Sequence, residues 1–449
     1  MGESGIMSAP DRASASTPLE QDVRAMYAHE RGVAPGEIAI GVIIGRTSEF
    51  FDFFVYALAS VLVFPALVFP FVDPLTATLL SFAVFSLAFV GRPFGTLLFV
   101  WIDQNYGRGV KLTIALFLLG GSTMAIALLP GHQQVGFLSV GLLATFRLLQ
   151  GVALGGAWDG MPSLLALNAP RERRGWYAMI PQLGAFLGLL VAAALFAYFL
   201  SLLSEPDFLS WGWRYPFFVA LAINVVALFA RLRLVVTPEF TRLFESRELQ
   251  PSPAFSTMFA ERRTIVLGAL APLASFALFH VVTVFPLSWV TLTAREDPVR
   301  FLLIEIAGAV VGLLAIAASG LLADRIGRRW VLAASAVLIG AWSGFAPQLL
   351  ESGAVGEAAF MISGFALLGL AFGQSSGLVN DRFPAHHRYT GAAIVANAAW
   401  FFGAGFAPLV ALFLASRFGL WSIGAYLLSG VACTLIALAV NRDWARKEA

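Results

Sequence analysis

Apolar segments close to or longer than 20 residues recur along most of the chain with short polar turns between them, and this recurrence leaves few folds open. A bilayer core offers backbone groups no water, so a crossing segment must close its own hydrogen bonds as a helix or join a sealed barrel. The segments lack the even alternation of barrel strands. The expected fold class is therefore an all-α membrane protein with twelve transmembrane helices. Spans are read at roughly 38–64, 74–102, 111–129, 136–167, 175–203, 213–234, 264–291, 300–323, 329–349, 357–380, 389–414 and 421–440. Composition agrees: 59% of residues are hydrophobic and 12% charged, against about 45–50% and 25% in soluble domains. The single cysteine, Cys433, excludes an intramolecular disulfide and argues against a thiolate metal cluster.

The organisation follows from charge. Residues 1–37 read as a polar cytoplasmic tail, 38–234 as a six-helix half, 235–263 as a cytoplasmic inter-half loop with mixed charge and prolines, 264–440 as a second half, and 441–449 as a cytoplasmic tail. Most Lys and Arg then fall on one side, which orients both ends inward. The two halves echo each other. GLLADRIGRR, from Gly320 to Arg329, follows the eighth span, and a weaker version, GTLLFVWIDQNYGRG, follows the second. PRERRG after the fourth span is likewise echoed by PAHHRYTG after the tenth. Gly327 suits a tight turn, and Asp324 can cap the next helix or pair with Arg325 or Arg328. Two such halves around a central cavity form a transporter architecture.

The first span carries Arg46, Glu49 and Asp52 on one face with Tyr56. Charge at bilayer depth is costly and usually lines a protein-enclosed path. An Arg46–Glu49 pair at i, i+3 neutralises itself but leaves Asp52 over. A proton carrier must change charge during its cycle. Glu49 is held ionised by Arg46, whereas Asp52 has less support, so Asp52 is the first candidate for proton coupling. Glu49, Asp159 and Glu305 are the further candidates.

These residues resemble a known pattern. SEFFDFFVY, GRPFG at 91–95, RLLQG at 147–151, GGAW at 155–158, WGWRYPF, TPEF and FPAHHRYTG are together similar to the metabolite:proton symporter family of the major facilitator superfamily, from about Ile38 to Ala439. The resemblance implies proton-driven uptake of organic acids, osmolytes or related solutes. It also has departures. The acid of the first-half turn is replaced by Gln104, with Asp103 one position early, and Asn105 takes the place of the next basic residue. Leu167 stands where an acid precedes the next turn, although Asp381 keeps it in the second half. The acid of the G-G-E-W motif is Ala157, with Asp159 two positions on. A lopsided gate follows: Asp324, Arg325, Arg328 and Asp381 can form a charge cluster in the second half, beside Gly327 and Arg388, whereas the first half has lost both acids and keeps Asp103 and Arg108 as its gate candidates. The alternative is drift at a tolerant surface, with Asp103 serving from a shifted register.

For the solute, Arg92 lies deep in the second span and its planar guanidinium can take a carboxylate bidentately. Arg147 shares a face with Gln150 and Trp158, and is as readily structural. Arg214 at the outer start of the sixth span competes as an interfacial anchor with Trp211 and Trp213. His280, Gln182, Gln374, Asn380 and Asn397 can hydrogen-bond solute or bridge helices, and Tyr56, Trp158, Trp289 and Trp400 can wall a cavity. Glu305 follows Arg300 by slightly more than one turn and is expected to snorkel to the outer interface.

The expected partners are a small organic anion, protons and the lipid bilayer, with no nucleic acid, no cofactor and no metal, acting as a monomer in a bacterial inner membrane. An enzyme is disfavoured because His29, His132, His386 and His387 lie in tails or loops and no H-E-x-x-H or phosphate-binding loop occurs. A drug antiporter would carry a proline after the glycines of the fifth span, and none follows Gly188. A solute sensor that binds without accumulating, or a facilitator that has lost proton coupling, stays open.

Overall fold

A computed structural model describes residues 35–157, 165, 169–235, 250–293, 297–375 and 382–440. Among them every long element is helical. The six spanning helices of the first half are α1 (Pro35–Leu62), α2 (Pro74–Tyr106), α3 (Arg108–Ala127), α4 (Leu138–Gly156), α5 (Arg174–Leu202) and α6 (Arg214–Val235). The second half holds α7 in three pieces (Arg262–Leu270, Leu273–Thr283, Phe285–Thr293), then α8 (Pro298–Ile326), α9 (Arg328–Ser343) and α10 (Gly353–Phe372). Next comes α11 (Ala385–Ala399 and Ala407–Phe418, joined through a π-helical turn Trp400–Ala404), and α12 (Trp421–Val440) closes the half.

Ten of these elements, taken whole, are long and apolar enough to cross a membrane. The other two are α1, charged through its middle, and α9, which is 16 residues long and followed by a 3-10 turn, Ala346–Glu351. The expected seventh span is not one helix. Pro272 and Pro286 each remove a donor and crowd the preceding turn, so α7 breaks at both. The inter-half segment contributes a short helix, Ala254–Ala260, joined to α11 by Ser252 with Thr390 and Thr257 with His387.

Local chemistry sets the helix ends. Asp73 starts α2 by accepting from the Thr76 N–H at 3.1 Å, which holds its carboxyl below the usual aspartate range. Asp297 does the same for α8 with Val299 at 2.9 Å. The echoed turns put Gly107 and Gly327 at φ 83° and 86°, a backbone region that glycine enters without strain. Both turns lie at one end of the bundle, together with Arg108, Lys111, Arg174, Arg262, Arg263, Arg328 and Arg329; this is the basic end.

Packing repeats between the halves: α2 against α4 matches α8 against α10, and α3 against α6 matches α9 against α12. The α2–α4 seam is a backbone contact. A Cβ on Gly151 would strike the Ala88 backbone, and one on Gly155 would strike that of Arg92 and Thr96. The halves meet along α5 and α8, along α2 and α11, and through rings of α1 and α7.

Candidate functional site

The three charged residues of α1 face inward in order of depth, with Arg46 and Glu49 side chains 20% and 11% exposed and Asp52 2% exposed. Glu49 accepts from Arg46 Nη1 at 2.6 Å and, on its other oxygen, from Arg231 of α6. Arg231 also donates to the Gly45 carbonyl at 2.8 Å and the Ala157 carbonyl at 3.0 Å, tying α1, α6 and the end of α4 together. Glu49 is therefore clamped by two cations, one more than its own helix supplies.

Asp52 has a different environment. Thr123 Oγ1 of α3 donates to it at 2.7 Å, as does the Asn224 amide of α6, which Ser48 orients by donating to its carbonyl at 2.6 Å. Behind Thr123 the donors line up. Arg147 Nη1 donates to Gln150 Oε1 at 3.0 Å, and Gln150 Nε2 donates to Thr123 Oγ1 at 2.7 Å. All donors in this buried chain point from the cation towards the carboxylate, an order that a charge at each end favours. Arg147 is further held by the Phe85 carbonyl at 3.1 Å and lies 3.9 Å from the Tyr56 ring centroid. Arg147 thus fits the structural alternative, and Tyr56, a candidate cavity wall, packs on it; neither lines the cavity between the halves.

That cavity is lined by Arg46, Glu49, Phe50, Phe53, Phe89, Arg92, Leu154 and Trp400; it is narrow, with a volume of about 30 Å³, so it must widen to take a solute. Arg92 reaches it from roughly 21 Å inside the basic end of α2. Among the described residues its guanidinium makes no hydrogen bond or ion pair, its Nε is buried without a partner, and it lies 5.8 Å from the Trp400 ring centroid and within electrostatic reach of Arg46 and Glu49. Three guanidinium groups around one carboxylate leave this region positive.

His280 sits beside the cavity, fully buried and stacked on Phe53 at 5.1 Å, with Thr283 Oγ1 at 3.3 Å and its other ring nitrogen unpartnered. The neutral candidates bridge the halves. Gln182 donates to Ser375 at 3.4 Å, Gln374 to the Gly175 carbonyl and to Ser319 at 3.2 Å each, and Asn397 to Thr96 at 2.7 Å. Arg214 caps the end of α3 through the Ala127 and Leu129 carbonyls and stacks on Trp213. Trp289 lies in the last piece of α7, 8% exposed, with its indole N–H unpartnered.

Glu305 departs from its expectation. It is 1% exposed and does not snorkel, and Arg300 pairs with Glu357 of α10 instead. Trp158, Asp159, Asn380 and Asp381 lie outside the described residues.

At the basic end Asp324 does not pair with Arg325 or Arg328. It crosses to the other half and accepts the Gly175 N–H at 2.6 Å and the Trp176 N–H at 3.2 Å, capping the start of α5. Arg325 is exposed, Arg328 is buried at the start of α9, and Arg388 is half-buried near the start of α11. The first-half turn uses other chemistry. Asp103, 4% exposed, holds Arg108 at 3.3 Å and Lys111 at 3.6 Å. Lys111 then donates to the Tyr389 hydroxyl of α11 at 2.7 Å, and Arg108 lies 4.6 Å from the Tyr389 ring centroid. Gln104 turns away, to the Pro251 carbonyl at 3.5 Å.

A helical bundle of two like halves, with charges inside and a cavity between them, defines a multi-pass membrane transporter. Residues 50–396 match the Major Facilitator Superfamily, and the chain belongs to that superfamily. It is 36% identical over 425 residues to the inner membrane metabolite transport protein YhjE of Escherichia coli, covering 92% of this chain and 97% of that one. It is 29% identical over 415 residues to the shikimate transporter of Escherichia coli, covering 90% and 94%. Among solved structures, the D-xylose-proton symporter superposes with a TM-score of 0.68 at 20% identity, over 89% of this chain and 96% of that one, a likeness of fold.

Proposed function

We propose that this transporter takes up a small organic anion with protons across a bacterial inner membrane, its basic end facing the cytoplasm. One observation carries the anion: Arg92, a guanidinium in the middle of the bundle with no partner of its own, faces a cavity where Glu49 is already held by two other cations. A half-buried cation with no bonded partner gains from one, and a carboxylate fits the guanidinium fork. The rings of Phe50, Phe53, Phe89 and Trp400 would then enclose the solute's apolar body.

Asp52 is the proposed coupling site. Ionised, it anchors the chain of donors from Arg147. Protonated, it is a weaker acceptor, so the Thr123 hydroxyl can turn to the Leu119 carbonyl at 3.0 Å, and the tie between α1, α3 and α4 loosens. Charge on one carboxylate is thereby linked to packing in the first half. Rocking of the halves about the α5–α8 and α2–α11 contacts would complete alternating access. The relatives named as metabolite and shikimate transporters support a small polar solute.

The anion site is tested by thermal shift on the purified full chain with a panel of mono-, di- and tricarboxylates, zwitterions and neutral sugars. A bound acid at a hundred times its dissociation constant should add about 2.7 kcal/mol of apparent stability. Arg92→Lys keeps the charge but loses the fork and should weaken that acid tenfold or more. Stabilisation by sugars alone, or an Arg92→Lys variant that binds the acid as the wild type does, would refute the assignment.

A further inference from the structure

Glu305 has no place in the relay or the cavity described above, and its surroundings are unlike those of the other buried carboxyls. It lies two turns from the start of α8, on the stripe of Phe301, Gly308, Gly312 and Ile316 that is buried against neighbouring helices. It is 1% exposed, and both carboxyl oxygens are shielded and lack any hydrogen-bond partner among the described residues. Asp52 by contrast holds two donors, Glu49 two guanidinium groups, and Glu357 the guanidinium of Arg300.

Among the described residues, the elements packed on α8 put no counter-charge beside Glu305, and the 3-10 turn Arg171–Arg173 that touches α8 lies at the basic end. On α5 the charged residue is Arg174, at the basic end, where Gly175 meets Asp324. On α9 the charged groups are Arg328 and Arg329, likewise at that end. On α10 it is Glu357, already bonded to Arg300. The last piece of α7, Phe285–Thr293, carries none, and the titratable group of its middle piece, His280, is enclosed by Phe53, Phe85, Phe89 and Trp400. A carboxylate at Glu305 would be a bare charge in a medium of low dielectric, whereas the neutral acid costs only its unmade hydrogen bonds.

We propose that Glu305 is a proton-binding site of the second half, separate from Asp52 and occupied by a proton in the arrangement described here. The protonation stands on burial and on the absence of donors among the described residues, and does not depend on the transported solute. Its consequence for coupling, a second proton carried in the half opposite Asp52, rests on the proposed function.

Infrared spectroscopy of the full chain in maltoside micelles, which contain no carbonyl group, reads the site directly. At neutral pH the wild type should show the carbonyl stretch of a protonated carboxylic acid. That band should shift when glutamate is labelled with carboxyl carbon-13 and stay when aspartate is labelled instead. It should be lost in Glu305→Gln and kept in Asp52→Asn. In Glu305→Asp the sensitivity should pass from the glutamate label to the aspartate label. The isotope comparison uses the wild type, so it holds even where a variant does not fold. Absence of the band, a band moved by the aspartate label alone in the wild type, or one that survives in folded Glu305→Gln would overturn the proposal. None of these results depends on solute binding, so this proposal and the anion reading can fail independently.

Discussion

Glu49 and Asp52 lie one turn apart on the same face of α1, yet the structure sets them different tasks. Glu49 sits between Arg46 and Arg231, and removing its charge breaks both ion pairs. Breaking a buried pair in this way costs about 3–5 kcal/mol. Glu49→Gln should therefore lower the thermal stability of the purified protein by several kcal/mol, and adding Arg231→Met should recover part of the loss. Equal stability of Glu49→Gln and wild type in a melting experiment would contradict the clamp. Asp52 is held by the neutral donors Thr123 and Asn224 and reaches its cation only through Gln150 and Thr123, so its charge can change without breaking a direct ion pair.

At the scale of elements, the two halves close the basic end by different chemistry. Asp324 places a carboxylate on the first N–H groups of α5, where the helix dipole favours negative charge, while Lys111 and Arg108 grip Tyr389 at the start of α11. Loss of such a cap costs about 0.5–2 kcal/mol, and a difference of 1.4 kcal/mol is tenfold in a two-state population. Asp324→Ala should shift the bundle towards a state open at the basic end. In a Cys433→Ala background, Leu154→Cys on the cavity wall should then react several-fold faster with an impermeant thiol reagent added from that side. An unchanged rate would mean that the cap does not hold the gate.

For the whole molecule, twelve spans in two halves were legible because the bilayer imposes one length and one backbone solution on every crossing segment. The charged face of α1 was legible for a related reason, since polarity stands out against an apolar helix. Partners distant in sequence were not. Arg231 meets Glu49 across 182 positions, and nothing local to α6 says which helix it faces. Glu305 looked like a snorkelling residue because Arg300 was its near neighbour, but Glu357 of another helix takes that arginine. The gate departed for the same reason, with Asp324 bonding α5 rather than its own turn. The central claim is that solute movement is coupled to protons through Asp52. Its most direct test is an imposed pH gradient on proteoliposomes, loaded with whichever carboxylate stabilises the purified protein. The wild type should accumulate that acid against its gradient, while Asp52→Asn should fail to accumulate it yet still exchange it with acid inside. Accumulation by Asp52→Asn with the wild-type pH dependence would contradict the account.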